Sequence, residues 1–231
     1  MDMNSVESLT RYLGEYVTLS RKKKIDSLLS KRTRQVAVVL EDVYQTHNTG
    51  AILRSCEGFG VQDVYSIQKR NEFVVNNNVA AGSSKWLDIF QYTNEKESSL
   101  ATCSKALKEK GYSLVATSPH ATMTLDQLPL DTKYAFFFGT EGNGLTKEAI
   151  DIADQLVSIP MYGFTESFNI SVSVALTLYD ITTRLRNSSI DWKLTEEEQI
   201  LLKLDWMRNS VENADALERR FFHEHPEFEH E

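Results

Sequence analysis

The 231-residue chain reads as an α/β fold, a mainly parallel sheet with helices on both faces, and three observations predict it. Apolar runs at 36–40, 64–67, 113–117, 134–138 and 156–160 have the length of strands and no polar face, as strands buried on both sides do. Helical windows at 50–59, 97–110, 145–153 and 169–187 alternate with them, and such alternation makes neighbouring strands parallel. Gly60, Gly111 and Gly139 stand at joints where a turn or helix end is needed.

In chain order, residues 5–31 come first as a helical stretch, with Leu9, Leu13, Tyr16, Leu19, Ile25, Leu28 and Leu29 near three-and-four spacing. The α/β pattern fills 36–187. A further amphipathic helix is predicted over 195–220, and 223–231 reads as a polar tail. The domain expectation is therefore a basic helical extension at 1–35, a central domain at 36–187 and an acidic helical extension at 188–231. Net charge over the chain is −8, but residues 1–35 hold eight Lys/Arg against four acids, while 195–231 hold four against eleven. The overall charge thus says little about partners. No run of 18 apolar residues occurs, so no membrane span is expected. The polar, acidic start argues against a signal peptide. Cys56 and Cys103 lack metal-ligand spacing and suit reduced thiols in a cytoplasm, with no metal site expected.

Three loops follow strand ends and so meet one edge of a parallel sheet, where ligands of such sheets sit. The first, after 36–40, leads into "NTGAILR", which places Asn48 before a short helix carrying Arg54 among Ala51, Ile52, Leu53, Cys56 and Phe59. The second, "FGTEGNGL", sets Gly139, Gly142 and Gly144 around Glu141; it is not the G-x-G-x-x-G of dinucleotide binding, and a plain glycine turn is its other reading. The third, "IPMYGFTESFNISVSVA", brings Pro160 to the mouth of the edge and Ser167 and Asn169 to a helix start. Either is a good N-cap, and free N–H groups at a helix start also suit an anion.

In this order and spacing, the three motifs resemble those of the SPOUT-superfamily RNA 2'-O-methyltransferases of the TrmH type, over roughly residues 20–187. The resemblance implies a deep trefoil knot in the C-terminal part of the sheet, S-adenosylmethionine as cofactor, and a homodimer with its sites at the interface. Within the group, the helical extensions look most like those of enzymes that methylate guanosine-18 in the tRNA D-loop. Ribosomal RNA is the alternative substrate, and a catalytically silent RNA-binding or assembly protein on the same fold is the alternative class.

Carried over residue by residue, the resemblance implies a catalytic set of Asn48, Arg54, Glu141, Ser167 and Asn169. It implies cofactor contacts at Thr117, Gly139, Ile159, Met161 and Phe168. The family account makes Arg54 the base, whereas a guanidinium holds its proton below a pH of about 12 and could instead bind phosphate and steady a developing alkoxide. Both roles stay open at this point, and Glu141 either fixes its loop or pairs with Arg54. The basic clusters "RKKK" and "KRTR" supply the expected RNA grip, Arg21, Lys22, Lys23, Lys24, Arg32 and Arg34, a solvated helix face being the other reading. His47 is read as a loop hydrogen-bonder, and the three tryptophans as packing residues.

Overall fold

The computed structural model describes residues 1–73, 80–93, 98–140 and 142–228, which form two compact units, 33–192 and a helical unit made of 1–32 with 193–231. In the larger unit the order is β1 (Thr33–Glu41), α3 (Thr46–Phe59), β2 (Val61–Gln68), β3 (Asp88–Thr93) and α4 (Ser99–Glu109). There follow β4 (Tyr112–Thr117), β5 (Met123–Thr124), β6 (Lys133–Phe138), α5 (Lys147–Ile152), β7 (Gln155–Ser158) and α6 (Ile170–Arg186). The helical unit holds α1 (Met3–Gly14), α2 (Leu19–Leu29), α7 (Glu196–Arg208) and α8 (Ala214–Glu224).

The seven strands form one sheet in the order β3-β2-β1-β6-β4-β7-β5, and every neighbouring pair is parallel. The two-residue period of a strand divides the apolar runs between two cores. Val36, Val38 and Leu40 of β1, with Tyr134, Phe136 and Phe138 of β6, face Ile52, Leu53 and Cys56 of α3 and Val174, Leu178 and Ile181 of α6. Ala37, Val39, Ala135 and Phe137 point the other way, onto Leu100, Cys103 and Leu107 of α4 and Ala149 of α5. Burial pushes the Cys103 thiol up to about 12, which leaves it a packing group rather than a nucleophile.

The structure corrects the sequence reading in several places. Strand β2 begins three residues early because Gln62 and Asp63, though polar, are buried with partners. Gln62 Nε2 donates to Asp88 Oδ1 and to the Trp86 carbonyl, both at 3.1 Å. Asp63 pairs with Arg34, which also reaches Asp88, and the Tyr112 hydroxyl donates to Asp63 Oδ2 at 3.1 Å. These contacts form a charged cluster at the N-terminal edge of the sheet. Strand β3 escaped prediction because it is an edge strand, half exposed and interrupted by Asp88, Gln91 and Thr93.

The helical stretch expected at 5–31 breaks where Thr18 caps α2, its side chain accepting from the Arg21 N–H at 3.3 Å. The one expected at 195–220 breaks at Asn213, which has φ 55°. Within the expected polar tail, α8 continues to Glu224 and a short 3-10 turn follows at Pro226–Phe228, with Phe228 stacked 5.7 Å from the buried Phe221; residues 229–231 lie outside the described residues. Both terminal segments lie in one unit, where Lys203 pairs with Asp26 at 2.7 Å and Arg208 holds Glu218 at 2.7 Å. The acidic C-terminal residues thus serve caps and ion pairs: Thr195 and Glu198 form a reciprocal capping box at the start of α7.

Candidate active site

The site is built from the loops beyond the C-terminal ends of β1, β4, β6 and β7. After β1 the chain turns through Asp42, whose φ of 56° is the left-handed region that Asp tolerates better than most residues. Its Oδ1 accepts the backbone N–H groups of Lys69 at 3.0 Å, Arg70 at 2.8 Å and Asn71 at 3.0 Å. Burial raises the Asp42 carboxyl, but these hydrogen bonds outweigh it and leave the pKa lowered. The backbone that enters α3 is thereby held to the end of β2.

Asn48, in the first turn of α3, is 3% exposed. Its amide donates to Gln45 Oε1 at 2.9 Å, and its Oδ1 accepts from Asn169 Nδ2 at 3.2 Å. Asn169 is the N-cap of α6: its Oδ1 accepts the Ser171 N–H at 2.9 Å and the Ser171 hydroxyl at 2.6 Å. One side chain therefore performs the ordinary capping role with its oxygen and joins the first motif to the third with its nitrogen. The N-cap reading of Asn169 holds, and the same side chain also ties the two motifs together.

The glycine-rich loop leaves β6 at Gly139 and folds back on itself, Thr140 N–H donating to Gly144 O at 3.1 Å and Gly144 N–H to Thr140 O at 2.8 Å. A Cβ on Gly139 would sit 2.0 Å from the Gly144 carbonyl carbon, so no side chain fits there. Gly144 has φ +65°. Glu141 lies outside the described residues. At the end of β4, the Thr117 hydroxyl donates to the Phe137 carbonyl at 2.8 Å, and the Ser118 N–H donates to Val157 O at 2.9 Å.

Between these loops lies a cleft of about 340 Å³, within the range of small-molecule sites. All five residues expected to touch a cofactor, Thr117, Gly139, Ile159, Met161 and Phe168, line it, and so does Ser167. Val157, Ile159, Met161 and Phe168 offer an apolar wall for a flat ring, while Thr117, Ser118, Asn143 and Ser167 offer polar fixings. Arg54 is not on the cleft wall; it stands exposed on α3, with no ion pair or hydrogen bond to another described residue. His47 is exposed beside Asn48.

The sequence profile of the SpoU rRNA Methylase family matches residues 35–179. The chain belongs to this family. A tRNA (guanosine(18)-2'-O)-methyltransferase of Borreliella burgdorferi is 42% identical over 207 residues, which are 89% of this chain and 93% of that one. The 23S rRNA (guanosine-2'-O-)-methyltransferase RlmB of Shewanella oneidensis is 34% identical over 166 residues, 71% of this chain and 65% of that one. Among solved structures, the TrmH/SpoU tRNA modifying enzyme of A. aeolicus superposes with a TM-score of 0.69 at 28% identity, covering 81% of this chain and 95% of its own.

Against the family motifs, sequence reasoning missed Ser118, His120, Thr140, Asn143 and Glu166, which also line the cleft. Ser118 and His120 follow β4, and the strand-end rule applied to that fourth loop would have found them. Two residues of the expected RNA grip are withdrawn. Arg32 is 2% exposed with its guanidinium 5.5 Å from the Trp206 ring, and Arg34 is committed to Asp63 and Asp88. Arg21, Lys23 and Lys24 are exposed on α2, and Lys22 is half-buried there.

Proposed function

We propose that this protein transfers a methyl group from S-adenosylmethionine to a ribose 2'-hydroxyl of structured RNA, the target being guanosine-18 in the tRNA D-loop. The observation that carries the reading is the cleft: six residues implicated by two distant motifs and one strand end line a single cavity at the ligand-bearing edge. The residues suit the cofactor. The apolar wall of Ile159, Met161 and Phe168 is fit for adenine, and Gly139, where a Cβ would collide with the Gly144 backbone, lets the loop fold tightly along the cleft.

When bound, S-adenosylmethionine supplies an activated methyl group together with its own leaving group. The chain's task is to align the ribose hydroxyl and manage its proton, and alignment is the larger contribution, worth up to roughly 7–11 kcal/mol of barrier. Asn48 and Asn169, locked to each other and to the α6 cap, do not line the cleft themselves but hold the start of α6 next to Ser167, which does. Arg54 carries the positive charge. It is exposed in this chain with no partner among the described residues, and a guanidinium is a poor base, so we assign it phosphate binding and stabilisation of the alkoxide rather than proton abstraction. Glu141 is assigned to the loop geometry around this site.

A homodimer belongs to the same reading. Val172, Leu176 and Tyr179 form an exposed stripe along α6, spaced as one helix face and continuous with the half-exposed Phe168, and a second copy is the occupant we assign to it. The knot is supported by the strand order, since β6 inserts between β1 and β4 before β7 returns to the far side of β4. Among the described residues no helix is long and apolar enough to cross a membrane, and we place the enzyme with its tRNA in the cytoplasm. Ribosomal RNA is the second reading, favoured by the likeness to RlmB.

Titration calorimetry with S-adenosylmethionine and transfer of a tritiated methyl group to separate tRNA and rRNA pools test the reading. Labelled tRNA with a 2'-O-methyl at position 18 is expected. Label confined to rRNA would move the assignment to the second reading, and absence of cofactor binding would revive the silent RNA-binding class. For the RNA grip, replacing Lys22, Lys23 and Lys24 with Gln is expected to weaken tRNA binding and flatten its salt dependence by about two to three counterions. An unchanged salt slope would refute that grip.

A further inference from the structure

We propose that Glu41 is a positioning residue for the cofactor loop, acting through Thr146; this rests on the functional reading above. Glu41 ends β1 and is 1% exposed, and burying a carboxylate is costly unless it is paired and fully hydrogen-bonded. Its partners come from two other parts of the chain. Oε2 accepts the Thr146 N–H at 2.9 Å, Oε1 accepts the Thr146 hydroxyl at 2.7 Å, and Lys69 Nζ stands 2.9 Å from Oε1.

Thr146 is where the glycine-rich loop ends. It caps α5, its hydroxyl oxygen accepting the Ala149 N–H at 3.2 Å while its proton goes to Glu41. Helix α5 has six residues, too few to fix its own start. The loop is thus set at its entrance by β6 and Gly139 and at its exit by a contact to the neighbouring strand β1. Between the two anchors lie Thr140, Asn143, Gly144 and Leu145, which wall the cleft. Lys69 extends the clamp, reaching Glu148 in the first turn of α5 at 3.4 Å. Burial alone would lower the Lys69 pKa, but the hydrogen bonds and negative charges of Glu41 and Glu148 together outweigh it and leave the pKa raised. Asp42, held by three N–H groups, fixes the backbone that presents Glu41. A salt bridge of purely structural use would not need both hydrogen bonds to converge on the one residue that closes this loop.

The test compares Glu41→Gln, Thr146→Val, Thr146→Ser and the double variant Glu41→Gln/Thr146→Val, with Asp63→Asn as a buried carboxylate at the opposite edge of the sheet. Full-length protein is assayed for KM of each substrate, for cofactor affinity by calorimetry, and for Tm. Glu41→Gln and Thr146→Val are expected to raise KM for S-adenosylmethionine about tenfold, with KM for tRNA within about twofold. Thr146→Ser, which keeps the hydroxyl, is expected to match the unaltered protein, and the double variant to be no worse than Glu41→Gln, as coupled partners require. Asp63→Asn is expected to lower Tm without moving KM. A folded Glu41→Gln or Thr146→Val with unchanged cofactor KM, or an Asp63→Asn that raises it equally, would overturn the proposal while leaving the methyl-transfer reading intact. Should Glu41→Gln not fold, the Thr146 pair decides, since Thr146 is exposed. If the unaltered protein binds no S-adenosylmethionine, both readings fall together.

Discussion

The two edges of the sheet spend their polar residues in opposite ways. At the N-terminal edge Arg34, Asp63, Asp88 and Tyr112 close on one another, and Lys110 lies 4.2 Å above the Phe90 ring with its ammonium donating to the Tyr65 hydroxyl at 3.0 Å. At the C-terminal edge Glu41, Lys69 and Glu148 pair below the glycine loop, but the polar lining of the cleft itself is mainly hydroxyls, an amide and bare backbone with His120 and Glu166, and Arg54 stands exposed off its wall. Both edges lie in one sheet with the same parallel strands. Charges matched inside the chain are committed there, whereas an exposed cation with no partner among the described residues is available to something from outside.

The sharpest way to break this contrast is Arg54→Ala. It is expected to cut kcat on the order of 10²–10³-fold, with Tm and cofactor affinity unchanged because the side chain makes no ion pair or hydrogen bond with another described residue. A comparable fall in Tm would make Arg54 a structural residue after all. Arg54→Lys refines the point: it keeps the charge and loses the planar fork, so near-full activity with an unshifted pH–rate profile would exclude any role special to guanidinium. Next in size is Asp63→Ala at the other edge, expected to cost about 2 kcal/mol of unfolding free energy by leaving Arg34 with Asp88 alone and removing an acceptor of the Tyr112 hydroxyl, while activity per folded molecule stays the same. Denaturant unfolding and single-turnover assays measure the two halves of that statement.

The smallest effect is one of pH. The Asp42 carboxyl is lowered in the folded protein, so its stabilisation is complete above the unfolded value of about 3.9 and is lost as pH falls through the lower folded value. Tm should therefore fall more steeply between about pH 5 and 3 in the unaltered protein than in Asp42→Asn, which keeps the left-handed backbone but does not titrate. Equal slopes would show that the N–H cluster around Asp42 contributes nothing specific.

What could be read from the sequence, and what could not, divides along physical lines. The runs 36–40 and 134–138 announced central strands because burial on both faces leaves no polar positions, and parallel pairing then put all the odd loops at one edge. The cleft-lining residues Thr117, Gly139, Ile159, Met161 and Phe168 came from the resemblance of the motifs, and all but Phe168 also lie within three residues of a strand end. Partnerships across the sequence were invisible. Arg34 looks like part of a basic cluster until Asp63 and Asp88 are brought beside it, and Arg32 until Trp206 covers it. Glu41 stood in plain view at the end of a predicted strand, but its meaning lies in Thr146, 105 residues later. Local pattern gives the placement of a residue; only the folded topology gives its partner.

Asn169 carries a consequence for how the site can fail. The amide whose oxygen starts α6 is the same amide whose nitrogen holds Asn48, so fraying of the first turn of the long helix and loss of register between two motifs 121 residues apart are one event. No substitution there can loosen the helix and spare the site. The start of α6 is, in effect, a gauge of whether the site is assembled.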